Sequence, residues 1–493
     1  MKTPSSLRRR THAAALALVL AAGAGAVPAA SAPAASPSPA SPSPAPAPGA
    51  KAAGEPLPIR AEEFVPLLAC EPGEPALPGK AGAAGRGATI RQAPLCDLTR
   101  CDESVHCTDQ PNSACLLQTF PDLQWRICVH ATRFGTPSAP YSKGLGLGPV
   151  YLRTTGDPEA PWRKILDRAS LAELFTPYHE TASFRIYDTR FLSWDNWRRE
   201  VTREDAGPHG ILVTLAEDER PSIVTEVRDR GPAWLCKGPL GRTVRRGREL
   251  VVWGVLDAGN YDFLTEYSFL DDGTLRLRIG ATGYNHPDRP GEAHLHDALW
   301  RIDIDLDGPE GDTPFLVRHV EPDPASGGVL LSTDEHVLFN GGVEGSAVWD
   351  PLEYTGLLVK DEGTNALGRH RGYEIHPTRS GTSRHFGPLE EWTRADFWVT
   401  RHDPADPDAW ARSWRSPDRY LLPDAAEEES IEGEDIVLWY LVSAHHHPTD
   451  EDRADAPPEN PYAVTRTHWF GLELAPHDFF DHNPLGGPGR CGD

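Results

Sequence analysis

Basic residues are in short supply: 48 Lys and Arg stand against 72 Asp and Glu, a formal charge of −24. Nucleic acid is held through cationic surface, so this balance excludes it as a principal partner, while the long-range field favours cationic small molecules. After the first 32 residues the chain also lacks any apolar run near the roughly 20 residues that a membrane-spanning helix needs, so no span is expected. None of the eight cysteines forms a CxxC pair, which weighs against a zinc site of the usual spacing. Internal repeats are missing too, and helical periodicity is scarce. Its best instance is "DRASLAELFTPY", where Leu171, Leu174 and Phe175 fall at helical spacing before Pro177, predicting a helix there.

What is present falls into four stretches. Residues 1–32 carry a basic start, "MKTPSSLRRR", an Ala-rich apolar stretch and small residues in "PAASA", the pattern of a secretory signal peptide, so export is expected. Residues 33–54 are Pro, Ala and Ser with little to bury, a linker. Residues 55–119 hold Cys70, Cys96, Cys101, Cys107 and Cys115, and with Cys128 they read as a small disulfide-stapled segment, with a zinc site as the rival reading. Cys236 and Cys491 are left over, and their pairing stays open. From 120 to 493 the pattern is period-two: "LQWRICVHATRF", "ELVVWGVLDAG", "TLRLRIGATG", "LWRIDIDLDG" and "IVLWYLVSAHHH" alternate or run apolar for strand length between turn residues. This predicts an all-β domain, a large antiparallel β-sandwich.

Two histidine groups stand out within that domain. In "GEAHLHDALW" a strand places His294 and His296 on one face with imidazoles side by side. A run of three, His445, His446 and His447, ends the apolar strand of "LWYLVSAHHHPTDED". Three neutral imidazoles with open coordination positions suit copper or zinc, and Cu2+ binds such donors the more tightly. In "DAGNYDFLTEYSF", Asn260, Tyr261 and Asp262 are adjacent. A phenol is inert at neutral pH, but a neighbouring divalent cation stabilises the phenolate, which metal and oxygen can oxidise to a quinone.

The order "NYDF", "HLHDALWRIDIDLDG", "GEDIVLWYLVSAHHHPTDED", "GLELAPHDFFDHNPL" closely resembles the catalytic domain of the copper amine oxidases, over about residues 120–486. The resemblance implies that Tyr261 is the precursor of topaquinone, that Asn260 orients its ring, and that His294, His296 and, by its spacing from Pro448, His446 bind copper. It implies that Tyr178 hydrogen-bonds the quinone oxygen and that Asp188 is the base taking the α-proton of a primary amine, with O2 as acceptor and aldehyde, ammonia and H2O2 as products. It further implies a second, calcium-type ion on Asp303, Asp305 and Asp435 with the carbonyls of Ile304 and Ile436, and a homodimer. The chain departs from the family in "DTRF" after Asp188, in Ile186 where a gating aromatic is usual, in the lack of a nearby partner for Cys236, and in "RADAPPENP" after the histidine run. These departures leave a second reading, a copper-binding scaffold on the same fold without turnover, and a third, a zinc-dependent hydrolase with Tyr261 unmodified.

Overall fold

The structure is a computed structural model that describes residues 98–100, 112–136, 139–155, 159–177, 183–185, 199–215, 218–238, 241–258, 260–285, 291–322, 330–381, 391–402, 429–452 and 464–486. The signal peptide, the linker, nearly all of the Cys-rich segment, and Tyr178, Ile186 and Asp188 lie outside the described residues.

Among the described residues twenty strands follow in chain order. The first ten are β1 (Leu98–Arg100), β2 (Ser113–Thr119), β3 (Leu123–Thr136), β4 (Ala139–Thr154), β5 (Arg163–Pro177), β6 (Ser183–Arg185), β7 (Ile211–Val213), β8 (Ile223–Gly238), β9 (Gly241–Asp257) and β10 (Tyr261–Leu270). The rest are β11 (Leu275–Gly283), β12 (His294–Ile304), β13 (Thr313–Pro322), β14 (Leu330–Leu338), β15 (Gly345–Ala347), β16 (Gly356–Thr364), β17 (His370–Thr378), β18 (Phe397–Arg401), β19 (Ile436–His446) and β20 (Thr465–His477). They form two antiparallel sheets of ten strands each. One runs β1-β2-β3-β4-β5-β12-β19-β18-β15 with β6 beside β5, and the other β14-β13-β16-β17-β20-β11-β10-β9-β8-β7. Among the described residues the one α-helix is Arg203–Ala206. The β-sandwich expectation therefore holds.

The predicted helix does not form. Residues 163–177 are β5, hydrogen-bonded between β4 and β12. A central strand buried on both faces reads as a nearly unbroken apolar run, which periodicity cannot separate from a buried helix. Here a bulge adds to the confusion: Leu299 pairs with Glu173 and Trp300 with Leu171, so Ala172 is an extra residue that shifts the period-two phase. Leu171 and Leu174 then face the same core at a spacing of three.

That core fills the space between the sheets and fixes which side chains share it. On β12 the residues packed there are Ala298, Trp300, Ile302 and Ile304, on β19 Ile436, Leu438, Tyr440 and Val442, and on β10 Tyr261, Phe263, Tyr267 and Phe269. Side chains alternate along a strand, so His294, His296 and His446, all even-numbered, fall on the inner faces too. None of the described cysteines is a free thiol, and Cys115 and Cys128 face each other across β2 and β3.

Candidate metal centre

Between the two sheets, at the ends of their inner faces, three imidazoles from one sheet meet a phenol from the other. His294 pairs with His446 across β12 and β19, and His296 lies two residues further along β12. The rings of His294 and His446 are 4.7 Å apart and those of His294 and His296 4.9 Å. All three residues are at most 2% exposed and Tyr261 is 4% exposed. His445 and His447, odd-numbered, point out of the sandwich, exposed, with their rings 3.9 Å apart. The alternation of β19 therefore singles out one histidine of the run.

The Tyr261 hydroxyl lies 2.8 Å from Nδ1 of His446, 3.3 Å from Nε2 of His294 and 3.2 Å from Oδ1 of Asn285. The outer nitrogen of each ring has its own acceptor. Nδ1 of His294 is 3.1 Å from the Glu292 carbonyl, Nε2 of His446 is 2.7 Å from Oδ2 of Asp452, and Nδ1 of His296 is 3.4 Å from Oγ1 of Thr176. A ring that donates through its outer nitrogen presents a lone pair inward in the neutral form. Burial holds the His294 and His296 rings in that form: it pushes His294 down to about 4 and His296 well below the ordinary histidine value. Nε2 of His294 and Nδ1 of His446 are then two acceptors 3.2 Å apart, and Nε2 of His296 is buried with no hydrogen-bond partner. One hydroxyl proton cannot satisfy this many lone pairs. A cation among the three nitrogens satisfies all of them, and these nitrogens lie within 4.8 Å of one another. The donor set, three imidazoles with room for a further ligand, fits copper.

Supporting groups brace the phenol. Asn285, fully buried, donates its amide to the Asp452 carbonyl at 3.0 Å, which turns its oxygen toward Tyr261. Asn260 does not reach the Tyr261 ring through a hydrogen bond; its Nδ2 donates to the Tyr284 carbonyl at 2.8 Å, and Tyr284 N–H donates to the Asn260 carbonyl at 2.9 Å. Opposite Tyr261 on β11 stands Gly283 at φ +135°, where a Cβ would lie 2.2 Å from the Asn260 carbonyl oxygen. Asn285 and Asp452 escaped the sequence reading. A signal existed: Asp272 and Gly273 mark the β10–β11 turn, and counting outward from it sets Gly283 opposite Tyr261 and Asn285 just beyond.

The second predicted group also assembles, on the outer face of the same sheet. Asp303, Asp305 and Asp435 each bury a carboxylate oxygen that has no hydrogen-bond partner, and so does Asp312, which the sequence reading missed. Burial, reinforced by Asp305, pushes Asp303 up to about 8, and burial pushes Asp305 up to about 6 against the pull of Lys164. Lys164 Nζ lies 2.6 Å from Asp305, and His402 Nδ1 lies 2.9 Å from Asp435. The orphaned oxygens of Asp303, Asp305, Asp312 and Asp435 suit a hard cation.

Comparison with known proteins gives concordant results. The family model of the copper amine oxidase enzyme domain matches residues 229–487. A primary amine oxidase of Klebsiella aerogenes is 25% identical over 394 residues, 69% of this chain and 50% of that protein. A histamine oxidase of Arthrobacter globiformis is 25% identical over 385 residues, 67% of this chain and 54% of that protein. The chain thus spans about half the length of these curated relatives. In fold it is similar to an amine oxidase of Aspergillus nidulans, with TM-score 0.55 at 18% identity over 83% of this chain and 56% of that one. It is similar also to a lysyl oxidase of Pichia pastoris, with TM-score 0.54 at 19% identity over 83% of this chain and 57% of that one.

Proposed function

The chain belongs to the copper amine oxidase family, and from that premise we propose that it oxidises primary amines with O2, releasing aldehyde, ammonia and H2O2. The observation that carries the reading is the buried phenol of Tyr261 held against the inward nitrogens of His294 and His446, with the unpartnered His296 nitrogen beside them. Bound among His294, His296 and His446, copper would supply the redox chemistry by which O2 converts Tyr261 to topaquinone, the electrophile for the amine. The protein's own residues do the rest. Asp452 and the Glu292 carbonyl fix the imidazoles by accepting hydrogen bonds from their outer nitrogens. Asn285 aims the phenol, and the apolar core around Phe263 keeps bulk water from it. Asp188 takes the α-proton and Tyr178 holds the quinone oxygen, both carried over from the family pattern. The net negative charge draws in ammonium-bearing substrates.

The same reading includes a calcium-type ion among Asp303, Asp305 and Asp435, disulfides in the Cys-rich segment, export through residues 1–32, and a homodimer. Asp312 offers that ion a fourth carboxylate.

Aerobic copper loading of metal-free protein tests the central claim. The tryptic peptide carrying Tyr261 is expected to gain oxygen, and the protein to acquire a visible band that phenylhydrazine shifts. Unmodified tyrosine mass and a colourless protein after loading would exclude a topaquinone enzyme.

A further inference from the structure

A second histidine cluster lies on the opposite sheet and plays no part in the reading above. Leu316 of β13 and Tyr373 and Ile375 of β17 pack toward the core between the sheets. Alternation therefore turns His319, Glu374 and His376 to the outer face. Between these strands runs β16, where Gly356 pairs with Val317 and its neighbour Leu357 with Ile375. Gly356 has no side chain to fill the gap: a Cβ there would stand 2.9 Å from both Oε1 of Glu374 and Cε1 of His376. Side chains from β13 and β17 meet across that opening.

They meet at one atom. Nε2 of His319 and Nε2 of His376 both contact Oε1 of Glu374, the latter at 3.0 Å. Nδ1 of His477, on β20, lies 3.7 Å from the other oxygen of Glu374. The Tyr354 ring packs 5.7 Å from each of the first two imidazoles. Glu374 is buried, while the three histidines keep between 20 and 28% of their side-chain surface in solvent. Two borderline nitrogen donors and one carboxylate oxygen, within 4.8 Å of one another and open on one side, form the ligand set of a first-row divalent ion.

We propose that His319, Glu374 and His376 bind a divalent transition metal of the zinc type, at a site sharing no residue with the copper triad. His477 stands ready as a further ligand or as the group that orients the Glu374 carboxylate. The opening made by Gly356 is part of the site, since any larger residue would wedge the two ligands of β17 away from His319.

The test uses the full-length protein, first loaded with copper and calcium and then dialysed. Zn2+ is titrated in by calorimetry, and Co2+ is added in parallel so that its visible bands report imidazole and carboxylate coordination. Wild-type protein is expected to take up Zn2+ at a site that His319→Gln and His376→Gln each weaken by more than about 100-fold, beyond the loss typical of outer-shell partners. Copper content should stay unchanged in both variants. Gly356→Ala should weaken the same site while keeping every ligand. Uptake by the wild type needs no variant to fold, and its absence overturns the proposal. Equal Zn2+ uptake by wild type and both glutamine variants also overturns it, leaving the cluster as protonated histidines paired to Glu374.

Discussion

Asp452 holds no metal in this reading, yet the copper site leans on it. Its Oδ2 accepts a hydrogen bond from His446 Nε2 at 2.7 Å, and its backbone carbonyl accepts one from the Asn285 amide. One residue thus sets both the tautomer of a ligand and the aim of the phenol. Asp452→Asn is expected to lower copper affinity about 10–100-fold, measured by competition with a chelator of known affinity. Elsewhere in the same sheet, His130 is a buried histidine with a different consequence. Burial, aided by Arg168, pushes it down to about 4. As pH falls below the ordinary histidine value the unfolded chain takes up a proton that the folded chain refuses. Its contribution is full above about pH 6.5, declines as pH falls toward 4, and amounts to about 3 kcal/mol over that window. His130→Asn should flatten the acid limb of the stability curve between those two pH values, read by urea denaturation.

At the scale of elements, the hairpin β10–β11 does what no single residue does. It places Tyr261 opposite a glycine that allows the backbone of Asn260 to approach. Gly283→Ala puts a Cβ into that carbonyl at a positive φ and is expected to cost about 1–3 kcal/mol. Its thermal midpoint should fall, and the visible band should grow more slowly after copper addition. The strands themselves were largely legible, because alternation survives in the inner-facing positions of β10, β12 and β19. The parity of β12 and β19 even selects His446, in agreement with its spacing from Pro448. What was not legible follows from geometry that pattern does not carry. The bulge at Ala172 gave β5 a helical spacing, and Asn285 and Asp452 sit in connections, where position depends on register rather than on period. Asp312 was hidden for the same reason. It lies near Asp305 because its backbone carbonyl accepts from Gly433 N–H, in the segment before β19, and its Oδ2 accepts from Leu306 N–H.

For the whole molecule, the chief fact is that the three inward imidazoles and the phenol come from different sheets. An ion that binds only the folded arrangement adds its binding free energy to folding, about 2.7 kcal/mol when free copper stands at 100 times the dissociation constant. Copper should therefore raise the melting temperature of wild-type protein and leave that of His296→Ala nearly unchanged, as scanning calorimetry would show. Metal-free and copper-loaded samples should separate on the same scan.

The partition of Tyr261 and its histidines between two layers has one more consequence. Under the proposed function the quinone is built from both halves, which is a form of proofreading: a molecule whose layers have not closed has nothing with which to make it. Quinone content per chain, counted in a fresh preparation, is then a census of correctly assembled molecules.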